Sequence, residues 1–109
     1  MKLKAKLWVQ AQIRLCDGLN VPVAVLRSGD PDAGAVLVKI AQSQDGWQVL
    51  SRIRDLDGNL AWFAGSGAAP VPEAEAEAYI ARQAARDPDL WVLEIDGRRG
   101  GYDRAYLDL

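Results

Sequence analysis

The chain alternates apolar runs with short breaks rich in Gly, Pro and Asp, and the spacing inside each run predicts its structure. From Leu7 to Leu19 two periods compete. At the helical period Trp8, Ala11, Leu15 and Leu19 form one stripe with Val9, Ile13 and Cys16 beside it, while Gln10, Arg14 and Asp17 share the far face. Only Gln12 is misplaced. At the strand period Leu7, Val9, Ala11, Ile13 and Leu15 alternate with Trp8, Gln10, Gln12, Arg14 and Cys16, and Asp17-Gly18 opens a hairpin. We prefer the helix, closed by Gly18; the strand would add one member to the sheet.

Val21 to Arg27 is short and β-branched, with Pro22 where an edge or first position tolerates it. Ser28 to Gly34 is a turn around Asp30-Pro31-Asp32. Ala35 to Ile40 is apolar throughout except for Lys39, which predicts a strand buried on both faces. Ser43-Gln44-Asp45-Gly46 turns the chain into Trp47 to Arg54, which alternates Trp47, Val49 and Ile53 with Gln48, Arg52 and Arg54, so this strand has one wet face. Asp55-Leu56-Asp57-Gly58-Asn59 turns it into Leu60 to Phe63, and these three strands form an antiparallel meander.

Gly65 to Pro72 reads as a flexible loop. A helix starts near Pro72, with Glu73, Glu75 and Glu77 at its positive end, Arg82 and Arg86 at its negative end, and Ala76, Tyr79, Ile80 and Ala84 on its apolar face. Pro88 stops it within a second Asp-Pro-Asp turn, Asp87 to Asp89, and Leu90 to Ile95 is the last strand. The order predicts an α+β fold, a small, mostly antiparallel sheet of four or five strands with two helices packed on one face. Residues 1–109 read as a single domain, its core over 7–96, with 97–109 as a C-terminal tail.

Composition narrows the chemistry. With 50% hydrophobic and 26% charged residues the chain is globular, not disordered. A net charge of -2 gives no field that attracts phosphates; a local basic patch would have to come from Lys2, Lys4 and Lys6 or from Arg98 and Arg99, and alternating lysines at a terminus read as a solvated tail, so no nucleic acid partner is expected. The absence of histidine removes the usual general base and the commonest metal ligand, and with them zinc hydrolase and Ser-His or Cys-His chemistry. A single cysteine, Cys16, forms no disulfide within the chain and gives no sign of an oxidising compartment. No signal-peptide run and no stretch of the ~20 apolar residues of a membrane span is present, so the expected location is the cytoplasm, with no membrane and no cofactor.

Asp30, Asp32, Asp87 and Asp89 approach one another if the strands that follow the two Asp-Pro-Asp turns lie side by side, and four converging carboxylates suit a hard cation. The plainer expectation is that each caps its own turn, with no metal site. A metal-dependent nuclease core, which needs an acidic residue two positions before Lys39, is broken by Leu37. Arg82 and Arg86, one helical turn apart, with Arg27 beneath them, form a fork for a carboxylate or phosphate; pairing with Asp30, Asp32 or Glu94 is the plainer use. Arg27, Asp30, Asp32, Arg82, Arg86 and Asp89 are therefore the candidate residues for an acidic ligand, and no catalytic residue is assigned. Four tryptophans are more than usual, and Trp47 and Trp62 are the candidate interface residues, although each also sits where it can pack. Cys16 reads as a small buried hydrophobe. Gly65-Ser66-Gly67 is too short to cradle phosphates.

Leu7-Trp8-Val9, the stretch Arg27 to Lys39, Glu75 to Gln83 and Asp87-Pro88-Asp89-Leu90-Trp91-Val92 together resemble a DUF1491-like family, uncharacterised alphaproteobacterial proteins with a domain of unknown function. The resemblance covers Leu7 to Asp96 and leaves out 97–109. It implies a bacterial, cytoplasmic, stand-alone domain, favours the helical reading of Leu7 to Leu19, and carries no activity or site residue. The function expected is a non-enzymatic domain that binds a protein partner or another copy of itself; the alternative is an acidic-ligand-binding or enzymatic domain with the Arg/Asp site.

Overall fold

A computed structural model describes residues 4–54, 56–58 and 60–108. Helix α1 spans Ala5–Leu19, followed by β1 (Val23–Arg27), β2 (Val36–Ser43), β3 (Gly46–Arg54), β4 (Leu60–Ala64), α2 (Glu73–Arg86) and β5 (Trp91–Asp96), with a short 3-10 helix at Arg104–Asp108. The first element is the helix that the sequence favours. It runs past Gly18 and is closed instead by Asn20, whose left-handed backbone (φ 57°) lets the amides of Asn20 and Val21 bond the carbonyls of Asp17 and Cys16. No helix among the described residues is long and apolar enough to cross a membrane.

The five strands form one sheet in the order β1-β5-β2-β3-β4. The expected β2-β3-β4 meander is antiparallel, and its second turn lies partly outside the described residues, at Asp55 and Asn59. β5 returns across the sheet to lie between β1 and β2, antiparallel to the first and parallel to the second. The class is α+β with a mostly antiparallel sheet, as the sequence predicts.

The two helices do not share a face. Val38 and Ile40 of β2 pack with Trp8, Val9 and Cys16 of α1, whereas Leu37 and Ala41 pack with Ala76 and Ile80 of α2. Successive strand residues point to opposite faces, so each helix covers its own side. The largely apolar runs of β2 and β5, broken within them at Lys39 and Glu94, require this arrangement, because a single helical layer would leave one side of both strands in water.

Nor is the C-terminal segment a loose tail. Tyr102 and Leu107 are buried in the α1 layer of the core. Gln12, misplaced on the helical wheel, is fully buried: its Nε2 donates to the Tyr106 carbonyl (2.7 Å) and its Oε1 accepts from the Tyr102 hydroxyl (2.8 Å). Trp8 Nε1 donates to the Leu107 carbonyl at 3.2 Å. The loop after β4 is likewise tied down, since Trp47 and Val71 exchange backbone hydrogen bonds of 2.8 Å and the Ser66 hydroxyl accepts from the Val49 amide.

The two Asp-Pro-Asp turns abut at one end of the parallel pair. The Asp30 amide donates to the Asp89 carbonyl (3.0 Å) and Trp91 Nε1 to the Asp30 carbonyl (2.7 Å). A side chain at Gly29 would run into the Asp89 carbonyl, so the crossing closes only with glycine there. Gly29→Ala is expected to cost about 2 kcal/mol or more, read as a lowered urea midpoint at unchanged slope; an unchanged midpoint would mean the two turns separate freely.

Candidate functional site

β2 and β5 run parallel in register, which sets Lys39 directly beside Glu94 on the α2 face of the sheet. The first turns of α2 pass over this pair. Glu73 and Glu77, one helical turn apart, point their carboxylates down at Lys39. The Lys39 ammonium, with a side chain 0% exposed, bonds Glu73 at 2.6 Å, Glu77 at 2.5 Å and Glu94 at 2.8 Å. Its three N–H donors are thereby matched by three carboxylates. Burial alone would depress the Lys39 pKa, but the hydrogen bonds it donates to Glu73, Glu77 and Glu94 outweigh this and hold the amine above its ordinary value.

Trp47 of β3 lines the cluster. Its ring lies 4.5 Å from the Lys39 ammonium and 5.3 Å from the Arg98 guanidinium. Arg98 is held in turn by a fork to Asp96, at 2.8 and 2.7 Å, which keeps the Asp96 carboxyl below its ordinary pKa. A shallow cavity of about 390 Å³ beside this pair is lined by Pro22, Gln44, Asp96, Arg98 and Arg99.

The carboxylate oxygens of Glu73, Glu77 and Glu94 lie within 4.8 Å of one another, a spacing that suits an oxygen-bound cation. The Lys39 ammonium already supplies the positive charge there. Sequence pattern offers Lys39 for a broken nuclease motif, Glu94 as a partner for arginine, and Glu73 and Glu77 as a helix start; it does not join them. The signal that would have found the cluster is a lone lysine inside a strand buried on both faces, which must meet acids, here two glutamates at helical spacing and one at the facing strand position.

The candidate acidic-ligand residues come together only in part. Arg27 Nη2 donates to the Pro88 carbonyl at 3.1 Å, so Arg27 does reach the second Asp-Pro-Asp turn. Two of the carboxylates, however, those of Asp30 and Asp87, serve their own turns. Asp30 accepts from the amides of Asp32 (2.9 Å) and Ala33 (2.8 Å), and the Ala33 and Asp32 amides hold it below its ordinary pKa. Asp87 accepts from the Asp89 amide at 3.0 Å, and Asp32 faces Lys4 at 3.6 Å in solvent. These aspartates do not form a metal-ligand group among the described residues. Arg82 lies 5.9 Å from the Tyr79 ring, and Arg86 stands in the last turn of α2 at the negative end of its dipole. Cys16 is buried, and burial first, then the Asp17 charge, pushes its thiol up to about 11, away from nucleophilic use.

The candidate interface residues part company. Trp47, 6% exposed, offers little surface to a partner. Trp62 of β4 is half-buried: its ring lies 5.4 Å from Trp8, Arg52 lies 5.2 Å from it, and its indole N–H has no partner among the described residues. Its neighbour Phe63, on the α2 face, is 53% exposed. Both sit on an edge strand, since β4 pairs with β3 alone among the described residues.

Comparison with known proteins agrees with this architecture. A DUF1491 protein from Caulobacter crescentus, solved by crystallography, is 34% identical over 97% of this chain and 94% of that one, with a TM-score of 0.81. A DUF1491 structure from the same organism, solved by NMR, is 36% identical over 90% of this chain and 88% of that one, with a TM-score of 0.76. Protein Atu0922 of A. tumefaciens shares the fold, with a TM-score of 0.75 at 23% identity over 98% of this chain and 92% of that one. Among curated proteins none matches the chain. The family model described as protein of unknown function (DUF1491) matches residues 3–102, which reaches beyond Asp96 to the buried Tyr102. With that match across almost its whole length, the chain belongs to the DUF1491 family.

Proposed function

We propose that this is a small, non-enzymatic, cytoplasmic domain that binds protein partners by adding an extended strand to the open edge of β4. The observation that carries this reading is the contrast between the two edges of the sheet. β1 is defended in the ways natural edges usually are: Pro22 stands just before it, and a bulge at Leu26 breaks the register between Val25 and Arg27. β4 has neither device. Its sequence Leu60-Ala61-Trp62-Phe63-Ala64 holds no charge and no proline, and its register against β3 is unbroken. A row of backbone donors and acceptors with no strand paired to it among the described residues, beside an exposed Phe63 and a half-buried Trp62, is the recognition surface of strand addition, in which main-chain bonds give affinity and aromatic anchors give selectivity.

The acidic-ligand alternative has less behind it, because Asp30 and Asp87 spend their carboxylates on their own turns. A random peptide array probed with the native protein and with Phe63→Lys tests the interaction reading. Extended apolar peptides are expected to be retained by the native domain and released by the variant, since a lysine on an edge opposes pairing. Retention unaffected by the substitution would remove β4 from the argument. No binding of peptides or of another copy would end the reading.

A further inference from the structure

Resting on that reading, we infer that the strand that occupies the β4 edge is β4 of a second copy, antiparallel and centred on Trp62, so that two sheets merge into one of ten strands. The argument is the self-complementarity of the strand. Only one antiparallel register pairs all five residues of each β4: it sets Trp62 against Trp62, Ala61 against Phe63 and Leu60 against Ala64 of the other copy. On the α2 face, each large exposed Phe63 then meets the small Ala61 across the axis. On the α1 face, the two Trp62 rings meet beside their own Trp8 partners. Ring-on-ring and ring-on-small pairs are favourable directly across strands, where Cβ atoms lie roughly 5 Å apart.

β4 itself carries no charge, so no like charges face each other across the two joined strands; the nearest cation on the α1 face is Arg52 of β3, 5.2 Å from the Trp62 ring of its own copy. A two-fold axis normal to the sheet keeps both α1 helices on one side and both α2 helices on the other, so neither layer crosses the joint. Shifting one strand by a single residue would instead bring the Trp62 side of one copy against the Phe63 side of the other. Five residues and two aromatic side chains per copy bury less than the roughly 1,600 Å² of a standard stable interface, so association is of micromolar rather than nanomolar strength.

The test is light scattering over a concentration series from about 1 μM to about 1 mM, together with NMR on an equimolar mixture of labelled and unlabelled protein, filtered to show only contacts between copies. Twice the chain mass is expected at the upper end and the single mass at the lower. The filtered spectrum is expected to join the Ala61 methyl to the Phe63 ring. Phe63→Lys should weaken association at least ~10-fold while leaving the monomer folded, because Phe63 already faces solvent. A single mass throughout, an association indifferent to Phe63→Lys, or contacts in another register would each overturn self-pairing. In that event peptide binding sensitive to Phe63→Lys leaves the edge reading standing with a different partner, and its absence removes both.

Discussion

A chain ended at Asp96 does not fold. The lost segment supplies Tyr102 and Leu107, both buried in the α1 layer, where full burial of one such side chain contributes about 1.5–3 kcal/mol. It also takes away the groups that bond the Gln12 amide and Trp8 Nε1, namely the carbonyls of Tyr106 and Leu107 and the Tyr102 hydroxyl. Each buried polar group left unpaired costs roughly 1–3 kcal/mol. The combined loss is on the order of 10 kcal/mol, as large as the whole stability of a domain of this size. Even with water reaching part of the opened site, near-ultraviolet circular dichroism of the truncated chain should be flat and its thermal unfolding should lack a cooperative step. A sharp transition close to that of the full chain would show that the segment only decorates the core. Tyr102→Phe in the full chain separates the polar from the apolar share: it keeps the ring, strips one bond from Gln12, and should cost only about 1–2 kcal/mol.

Much of the architecture is legible in the chain. The β2-β3-β4 meander follows from alternation and two hairpin turns, and α2 from its acidic start, basic end and Pro88 stop. Local pattern does not show where elements meet across long separations. Gln12 breaks the helical wheel when α1 is read alone; it fits once Tyr102 and Tyr106 arrive from the far end of the chain. Two helices on one face and a run from Ala35 to Ile40 buried on both sides are expectations that conflict with each other. β5 decides between them by inserting between β1 and β2 and presenting two covered faces of its own.

The candidate site is less legible for the same reason. Asp-Pro-Asp is conspicuous text, yet the first carboxylate of each, Asp30 and Asp87, has local employment that any such turn provides. Glu73, Glu77 and Glu94 look unremarkable in sequence, as a helix start and a strand polar residue, and acquire meaning only through Lys39. Edge status is also a property of the assembled sheet. Leu60 to Ala64 reads as one more apolar strand until strand order places it outermost.

Lys39→Met is expected to destabilise the domain by about 2–4 kcal/mol at neutral pH, a fall in melting temperature on the order of 10–20 °C. Removing one partner from a buried ion pair usually costs about 3–5 kcal/mol. The lower range applies here because the side chains of Glu73 and Glu77 are half exposed and turn partly to water once the ammonium is gone. Methionine keeps the volume under the Trp47 ring, so the loss measures charge and hydrogen bonding rather than a cavity. If the three carboxylates act through Lys39, then Glu94→Gln destabilises the native protein but costs less, or even helps, in the Lys39→Met background, and the double-mutant cycle gives a coupling of about 0.5–3 kcal/mol. Additive losses would mean the glutamates are held independently of the lysine. The pH dependence has a definite sign. The folded-state pKa of Lys39 is raised above its ordinary 10.5, so its contribution is complete below that value and is lost only as pH rises through the higher folded-state value. The native protein should therefore lose stability in strongly alkaline solution, and Lys39→Met should lack that component. Across the neutral range the Lys39 ammonium stays charged, which fits a fixed brace between α2 and the parallel pair β2–β5 better than a switch operated by the lysine's proton.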